Sequence, residues 1–270
     1  MLTLSIEENI APVARHTLAD QVYRDLRDLI LSGRIEPGEK LTLRRLAAAL
    51  GTSPMPVRNA ASRLVAEKAL VMLPSRTLQV PWPSSSEFAE IVTIRCALEG
   101  LAAELAAHRR SDADVDALRR HAAAFDLNAS AASPNPLAAI EHNRHLHFTA
   151  YKASGLPKLM QMIEGLWLQV GPVFYAAIAA EIVGSAGSNA SVSARKRSLI
   201  FSDAPTERRI LNATHGAHTA LVEAIAARDP AAAKAALIAD IQQAALFIVG
   251  SGRLRVDPRS TVTPAPQAAS

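Results

Sequence analysis

Apolar positions between Thr17 and Val80 fall into three short helical stripes and one hairpin. Val22, Leu26, Leu29 and Ile30 recur at helical spacing behind a capping-box-like Thr17/Asp20 start, and the stripe ends at Gly33. After the Glu36-Pro37-Gly38 turn, Leu43, Leu46, Ala47 and Leu50 predict a second helix, capped by Thr42 and closed by Gly51. Ser53 caps a third. Its first turn holds Pro54 and Pro56, where backbone N–H groups have no intrahelical partner to lose, and its apolar face is Val57, Ala61, Leu64 and Val65. Apolar runs at Leu70–Leu73 and Leu78–Val80 flank Pro74-Ser75-Arg76-Thr77, which predicts a two-stranded wing. Pro81-Trp82-Pro83 and three serines then predict a stiff linker.

From Glu87 onward the pattern is helical throughout. Helices are predicted over residues 85–108, 112–128, 135–154, 157–182, 205–228 and 230–249, with Asp112 and Asp203 or Thr206 as caps. Residues 184–204 read as a flexible loop or helix end, and Arg195-Lys196-Arg197 as a solvated charge run. The fold class is mainly α: an N-terminal winged helix-turn-helix domain followed by an all-helical bundle. The divisions are a flexible arm at 1–16, the winged helix at 17–80, a linker at 81–86, the helical domain at 87–249 and a disordered tail at 250–270.

Charge sharpens the division. Residues 17–80 contain ten Lys or Arg against six Asp or Glu, while residues 81–270 are nearly balanced at eighteen against seventeen. The basic excess therefore sits on the small domain, as a nucleic-acid footprint should. The single cysteine, Cys96, excludes an internal disulfide and favours a reducing compartment. No basic leader followed by an apolar core is present, and no run of about 18 uncharged apolar residues. A soluble, cytoplasmic protein without membrane contact is expected.

Two helices around a tight glycine turn form a helix-turn-helix, whose second helix enters the DNA major groove N-terminus first. Its stripe leaves Met55, Arg58, Asn59 and Ser62 outward. Arg58 lies in the first turn, against the positive end of the helix dipole, a cost that a phosphate or guanine edge outweighs. The plain alternative is a solvated arginine on a stability-only hairpin. Arg44 and Arg45 on the preceding helix and Arg76 at the wing turn favour DNA.

Two constellations stand out in the helical domain. Arg95 falls on the apolar stripe of Phe88, Ile91, Leu98, Ala102 and Leu105, and a guanidinium facing a core needs an anion. Glu99 at i+4 supplies one internally; the alternative is the carboxylate or phosphate of a small ligand. The second cluster lies in EHNRHLHFTA, where Asn143 and His147 share a helical face directed inward better than His142 or His145. His218 precedes the apolar series Leu221, Val222 and Ile225, and Asp240 interrupts the apolar face of the last helix. Two imidazoles, a carboxylate and an amide oxygen can hold a divalent metal between helices, or can simply be satisfied core groups.

These segments resemble the GntR-type winged-helix transcription regulators, in the FadR-like branch with an all-helical FCD ligand-binding domain. The likeness is carried by QVYRDLRDLILSGRIEPGEKL, GTSPMPVRNAASRLVAEKAL, EIVTIRCALEGLAAELAA, HLHFTAYKASG and HGAHTALVEAIAARDPAAAKAALIADI, and spans about residues 17–249. The resemblance implies a homodimer on a palindromic double-stranded operator, acting as a repressor released by a small carboxylate effector. It places Arg44, Ser53 and Arg58 at phosphates and bases and Arg76 in the minor groove. Pro54 stands where the family often has arginine, and Thr77 where the wing commonly has glycine, which implies an altered operator preference. Asn143, His147, His218 and Asp240 match the family's metal ligands, with Asp240 in place of its last histidine. Weaker binding of Zn²⁺ or Ni²⁺, a harder metal, or a metal-free site follows. Arg95 matches the arginine near the family's effector pocket.

Two other classes compete. A metal-dependent hydrolase would use His147 and His218 with Asp240 as base, yet it lacks a nucleophile and leaves the winged helix unused. A non-specific architectural DNA binder needs neither the buried Arg95 nor the paired histidines.

Overall fold

The computed structural model describes residues 17–185 and 209–255. The first unit comprises α1 (Leu18–Leu31), β1 (Lys40–Leu41), α2 (Leu43–Ala49), α3 (Pro54–Ala66), β2 (Val71–Met72) and β3 (Leu78–Gln79). The second comprises α4 (Ser85–Arg109), α5 (Asp112–Ser130), α6 (Pro136–Ala153), α7 (Pro157–Ser185), α8 (Arg209–Ala226) and α9 (Pro230–Gly250). The 184–204 loop, its Arg195-Lys196-Arg197 run and the 1–16 arm fall almost wholly outside the described residues.

Local rules account for most boundaries. Thr17 and Asp20 form the expected reciprocal capping box on α1. Gly51 closes α2 in the left-handed region, φ +60. Ser53 occupies the N-cap position of α3 but makes no side-chain cap bond. The reason is local: the N3 amide that a capping serine usually reaches belongs to Pro56, which has no N–H. Ser111, rather than Asp112, caps α5, because Ser111 and Asp114 complete a reciprocal box.

The expected two-stranded wing is part of a three-stranded antiparallel sheet in the order β1-β3-β2, with Leu41 opposite Leu78 and Met72 opposite Leu78. The α1–α3 core is Val22, Leu26, Ile30, Val57, Ala61 and Leu64, all essentially buried. In the helical unit α4 packs chiefly on α9, with a close approach at Gly100, where an added Cβ would meet Ile238 Cδ1 at 3.2 Å. Pro157–Ala179 of α7 and all of α9 are apolar and long enough to span a bilayer by composition. Here they provide core walls, and each carries a partnered carboxylate: Glu164 pairs with Arg27, and Asp240 is hydrogen-bonded to His147.

The two units touch through α7. Arg27 of α1 donates to Glu164, and Gly33 lies against the ring of Tyr175. Of the tail expected to be disordered from 250, residues 251–255 are ordered, and the rest lies outside the described residues. Residues 251–255 turn back along the linker, where Arg255 N donates to the Pro83 carbonyl (3.0 Å) and Ser85 N to that of Arg255 (3.2 Å). Leu254 and Trp82 both pack against the cluster of Phe88, Val170 and Ile248. Those backbone bonds are what the composition of the tail could not announce.

Candidate functional site

The winged helix presents its polar face to solvent. Met55, Arg58 and Asn59 on α3, Arg44 and Arg45 on α2, Ser53 at the turn and Arg76 at the wing are all exposed. Met55 is 59% exposed, high for an apolar side chain on a helix whose other face is core. No carboxylate of the described residues pairs with Arg44, Arg58 or Arg76; Arg45 lies 3.8 Å from Glu39 Oε1. Arg76 has φ +57, the left-handed conformation usual for glycine, and this turns its side chain out at the wing tip. Pro54 and Pro56 remove two amides from the N-terminus of α3. Ser53 and Arg58 are the exposed polar side chains left at that end of the helix, in place of a row of N–H groups.

The helical unit assembles its candidates at one place. Arg95 and Glu99 come from α4, Asn143, His147 and Tyr151 from α6, Trp167 and Phe174 from α7, His218 from α8 and Asp240 from α9. Arg95, Glu99, His147, His218 and Asp240 are all buried. The internal partner expected for Arg95 is present: its Nε donates to Glu99 Oε1 (2.7 Å) and its Nη2 to Oε2 (3.2 Å). Glu99 also accepts from Trp167 Nε1 (3.1 Å) and from the Tyr151 hydroxyl. The Arg95 guanidinium lies over the rings of Trp167 and Phe174, 5.1 and 5.3 Å from their centroids. Its Nη1 is buried without a hydrogen-bond partner.

On the other side of Tyr151, its hydroxyl lies 3.0 Å from His147 Nδ1, and His147 Nε2 lies 3.1 Å from Asp240 Oδ2. Asn143 Oδ1 accepts from His218 Nε2 at 3.1 Å. A cavity of about 20 Å³ is lined by Arg95, Asn143, His147, Phe174 and Asp240 among others. That is room for about one water or one ion.

The electrostatics follow from burial and pairing. Burial opposes the Arg95 charge, but Glu99, Tyr151 and Asp240 together hold it above the usual arginine range. Burial alone would raise the Asp240 carboxyl. The hydrogen bond from His147 and the charges of His147, His218 and Arg95 instead hold it below the usual range. Burial, reinforced by Glu99, pushes the Tyr151 phenol well up, so it keeps its proton.

The donor set fits a divalent metal. One ligand atom each from His147, His218 and Asp240 lie within 4.8 Å of one another, and all three residues are buried. Asn143 adds a neutral oxygen beside His218. Binding would replace the His147–Asp240 and Asn143–His218 contacts, so the metal competes with bonds the protein already makes. Residue spacing named Arg95 and the four metal candidates as two separate constellations, which the structure places around one cavity. It missed Tyr151, Trp167 and Phe174, whose signal was a polar tip or ring on otherwise apolar helix faces.

α7 touches both halves of the molecule. Trp167, Phe174 and Ile178 line the cavity, while Glu164 and Tyr175 on the same helix meet α1 and the turn after it.

The profile of the FCD domain matches residues 90–243, and that of the bacterial regulatory proteins of the gntR family matches residues 18–80. The chain is 33% identical over 156 residues to the HTH-type transcriptional regulator McbR of Escherichia coli (strain K12), covering 58% of this chain and 70% of that protein. It is 30% identical over 147 residues to the HTH-type transcriptional repressor GlaR of the same strain, covering 54% of this chain and 67% of GlaR. The solved structure of E. coli McbR/YncC superposes with a TM-score of 0.68 at 26% identity, over 87% of this chain and 98% of that one.

Proposed function

This chain belongs to the FCD-domain branch of the GntR regulators and is a DNA-binding transcription regulator; from that premise we propose that it is a dimeric repressor released by a small carboxylate. The observation that carries the proposal is Arg95. Its Nη1 is buried without a partner, and Arg95 lines a small cavity inside the helical domain. A carboxylate is the ligand whose planar oxygens match such a group. Because the cavity holds only about one water-sized occupant, a larger effector must displace its walls. α7 is a wall that also touches α1, so its displacement would reach the DNA-binding unit.

In this reading Arg44, Arg45, Ser53, Met55, Arg58, Asn59 and Arg76 face a palindromic operator, one half-site per protomer, because a two-fold dimer imposes two-fold DNA. His147, His218 and Asp240, with Asn143, would hold a Zn²⁺- or Ni²⁺-like ion. Such an ion would supply a positive anchor for an anionic effector beside Arg95.

The test is selection of operator sequences from random duplexes, followed by fluorescence anisotropy with and without a panel of organic acids. A palindromic consensus is expected, with operator affinity falling about 5- to 150-fold for the cognate acid, a coupling of about 1–3 kcal/mol. Arg95→Lys keeps the charge but loses the fork, and should blunt the response to the acid. Binding with no sequence preference would return the protein to an architectural role. Sequence-specific binding that no acid alters would remove the carboxylate.

A further inference from the structure

We propose that Tyr151 is a positioning residue that fixes His147 as its Nδ1–H form, presents Nε2 to Asp240, and ties that edge to the Arg95–Glu99 pair. The inference deepens the sensor reading above and rests on it for its link to ligand binding.

The argument is a proton count along one buried chain. Glu99, gripped by the Arg95 fork, only accepts hydrogen bonds. The Tyr151 hydroxyl therefore donates its one proton to Glu99 Oε2. With that proton committed, Tyr151 Oη can only accept from His147 at 3.0 Å, so His147 Nδ1 carries a hydrogen. Nε2 is left facing Asp240 Oδ2 at 3.1 Å. With the Nδ1 hydrogen committed to Tyr151, Nε2 is the nitrogen whose lone pair is left to a cation shared with Asp240 Oδ2. Tyr151 is the outer partner that a metal-binding imidazole requires on its other nitrogen. It also makes the anion-gripping Arg95 and the cation-holding His147–Asp240 edge two ends of one hydrogen-bonded chain. An anion that draws Arg95 away from Glu99 strengthens the negative end of that chain. His147 then becomes the better partner for a cation.

The experiment uses the full chain labelled with ¹⁵N-histidine, and long-range ¹H–¹⁵N spectra with His147 assigned by its loss in His147→Asn. Wild type should show a protonated Nδ1. Tyr151→Phe, which keeps the ring and removes only the hydroxyl, should leave Nδ1 bare, with the ring proton on Nε2 facing Asp240. Asp240→Asn should leave Nδ1 protonated, since it removes the partner on the opposite nitrogen. In a Zn²⁺ titration of metal-stripped protein, Tyr151→Phe should bind about 10- to 100-fold more weakly than wild type. A wild-type His147 with bare Nδ1 overturns the proposal without any variant, as does unchanged Zn²⁺ affinity in Tyr151→Phe against a wild type that binds. If Nδ1 is protonated as expected but wild type takes up no Zn²⁺, the positioning role stands and the metal reading fails.

Discussion

Gly33 and Tyr175 approach closely across the two units: a Cβ built on Gly33 would stand 2.3 Å from Tyr175 Cγ and 2.5 Å from its Cβ. Gly33 also has φ +67, so a side chain there is strained apart from the clash. Gly33→Ala should therefore lose about 1–2 kcal/mol to backbone strain, and more to displacement of Tyr175. Gly33→Ala/Tyr175→Ala should recover the clash but not the strain. Urea unfolding of both variants separates the two, and equal stability of the single and double variants would show that the contact is not tight. Because α7 lines the cavity as well, the single variant should also show altered operator affinity without any effector.

Arg58 and Arg44 should fail differently. Arg58→Ala should cost about 1–3 kcal/mol of specific binding and relax preference at the base it reads. Arg44→Ala should weaken all sequences alike and lower the salt slope by about one. Anisotropy over a salt series on the consensus and on scrambled duplexes reads both. Two variants that bind like wild type would place α3 outside the groove.

How much of this was legible in sequence depended on the range of the interaction. The elements of the winged helix announce themselves within a few residues, through Thr17/Asp20, Thr42, Gly51 and the two prolines. β1 escaped because a strand of two residues, Lys40–Leu41, exists only through its pairing with β3. Helical periodicity placed Arg95, His147 and Asp240 on inward faces, and i+4 spacing named Glu99. Nothing local could say that His147 meets Asp240, which lies on another helix far along the chain. Nor could spacing show Glu99 collecting Tyr151 and Trp167 as well as Arg95. The turn of residues 251–255 along the linker is fixed by backbone bonds, which composition does not encode.

Tyr23 gives the winged helix an alkaline limit. Its hydroxyl donates to Glu67 Oε1 and Oε2 at 2.7 and 2.9 Å, joining α1 to the end of α3. Burial, then Glu67, pushes the phenol up to about 12. The folded value exceeds the unfolded one of about 10, so the contribution is complete below pH of about 10 and is lost as pH rises toward the folded value. Tyr23→Phe should lose about 1 kcal/mol at neutral pH and unfold with less dependence on pH in the alkaline range. An alkaline melting profile parallel to wild type would show that another group sets the limit.

Asp240 makes the metal question decidable, because its two possible duties respond oppositely to one substitution. As the partner of His147 it is an internal hydrogen-bond acceptor, 3.1 Å from Nε2. As a ligand it is a single carboxylate among two imidazoles and an amide, a set that suits Zn²⁺ only weakly. Protein purified without added metal should therefore be only partly loaded. Asp240→His removes the anion and adds a third imidazole. Stripped of metal, the variant should melt below wild type, since His147 loses its partner in a buried site. With Zn²⁺ added it should recover and then exceed the wild-type response, because a ligand at about 100 times its Kd adds about 2.7 kcal/mol to the native state. Elemental analysis and melting curves with and without Zn²⁺ or Ni²⁺ supply both readings. Wild type that carries no metal, and whose melting temperature neither ion moves, would make these four residues a polar lining held by internal bonds. Arg95 would then have to grip an effector alone, through an Nη1 that is buried and still wants a partner.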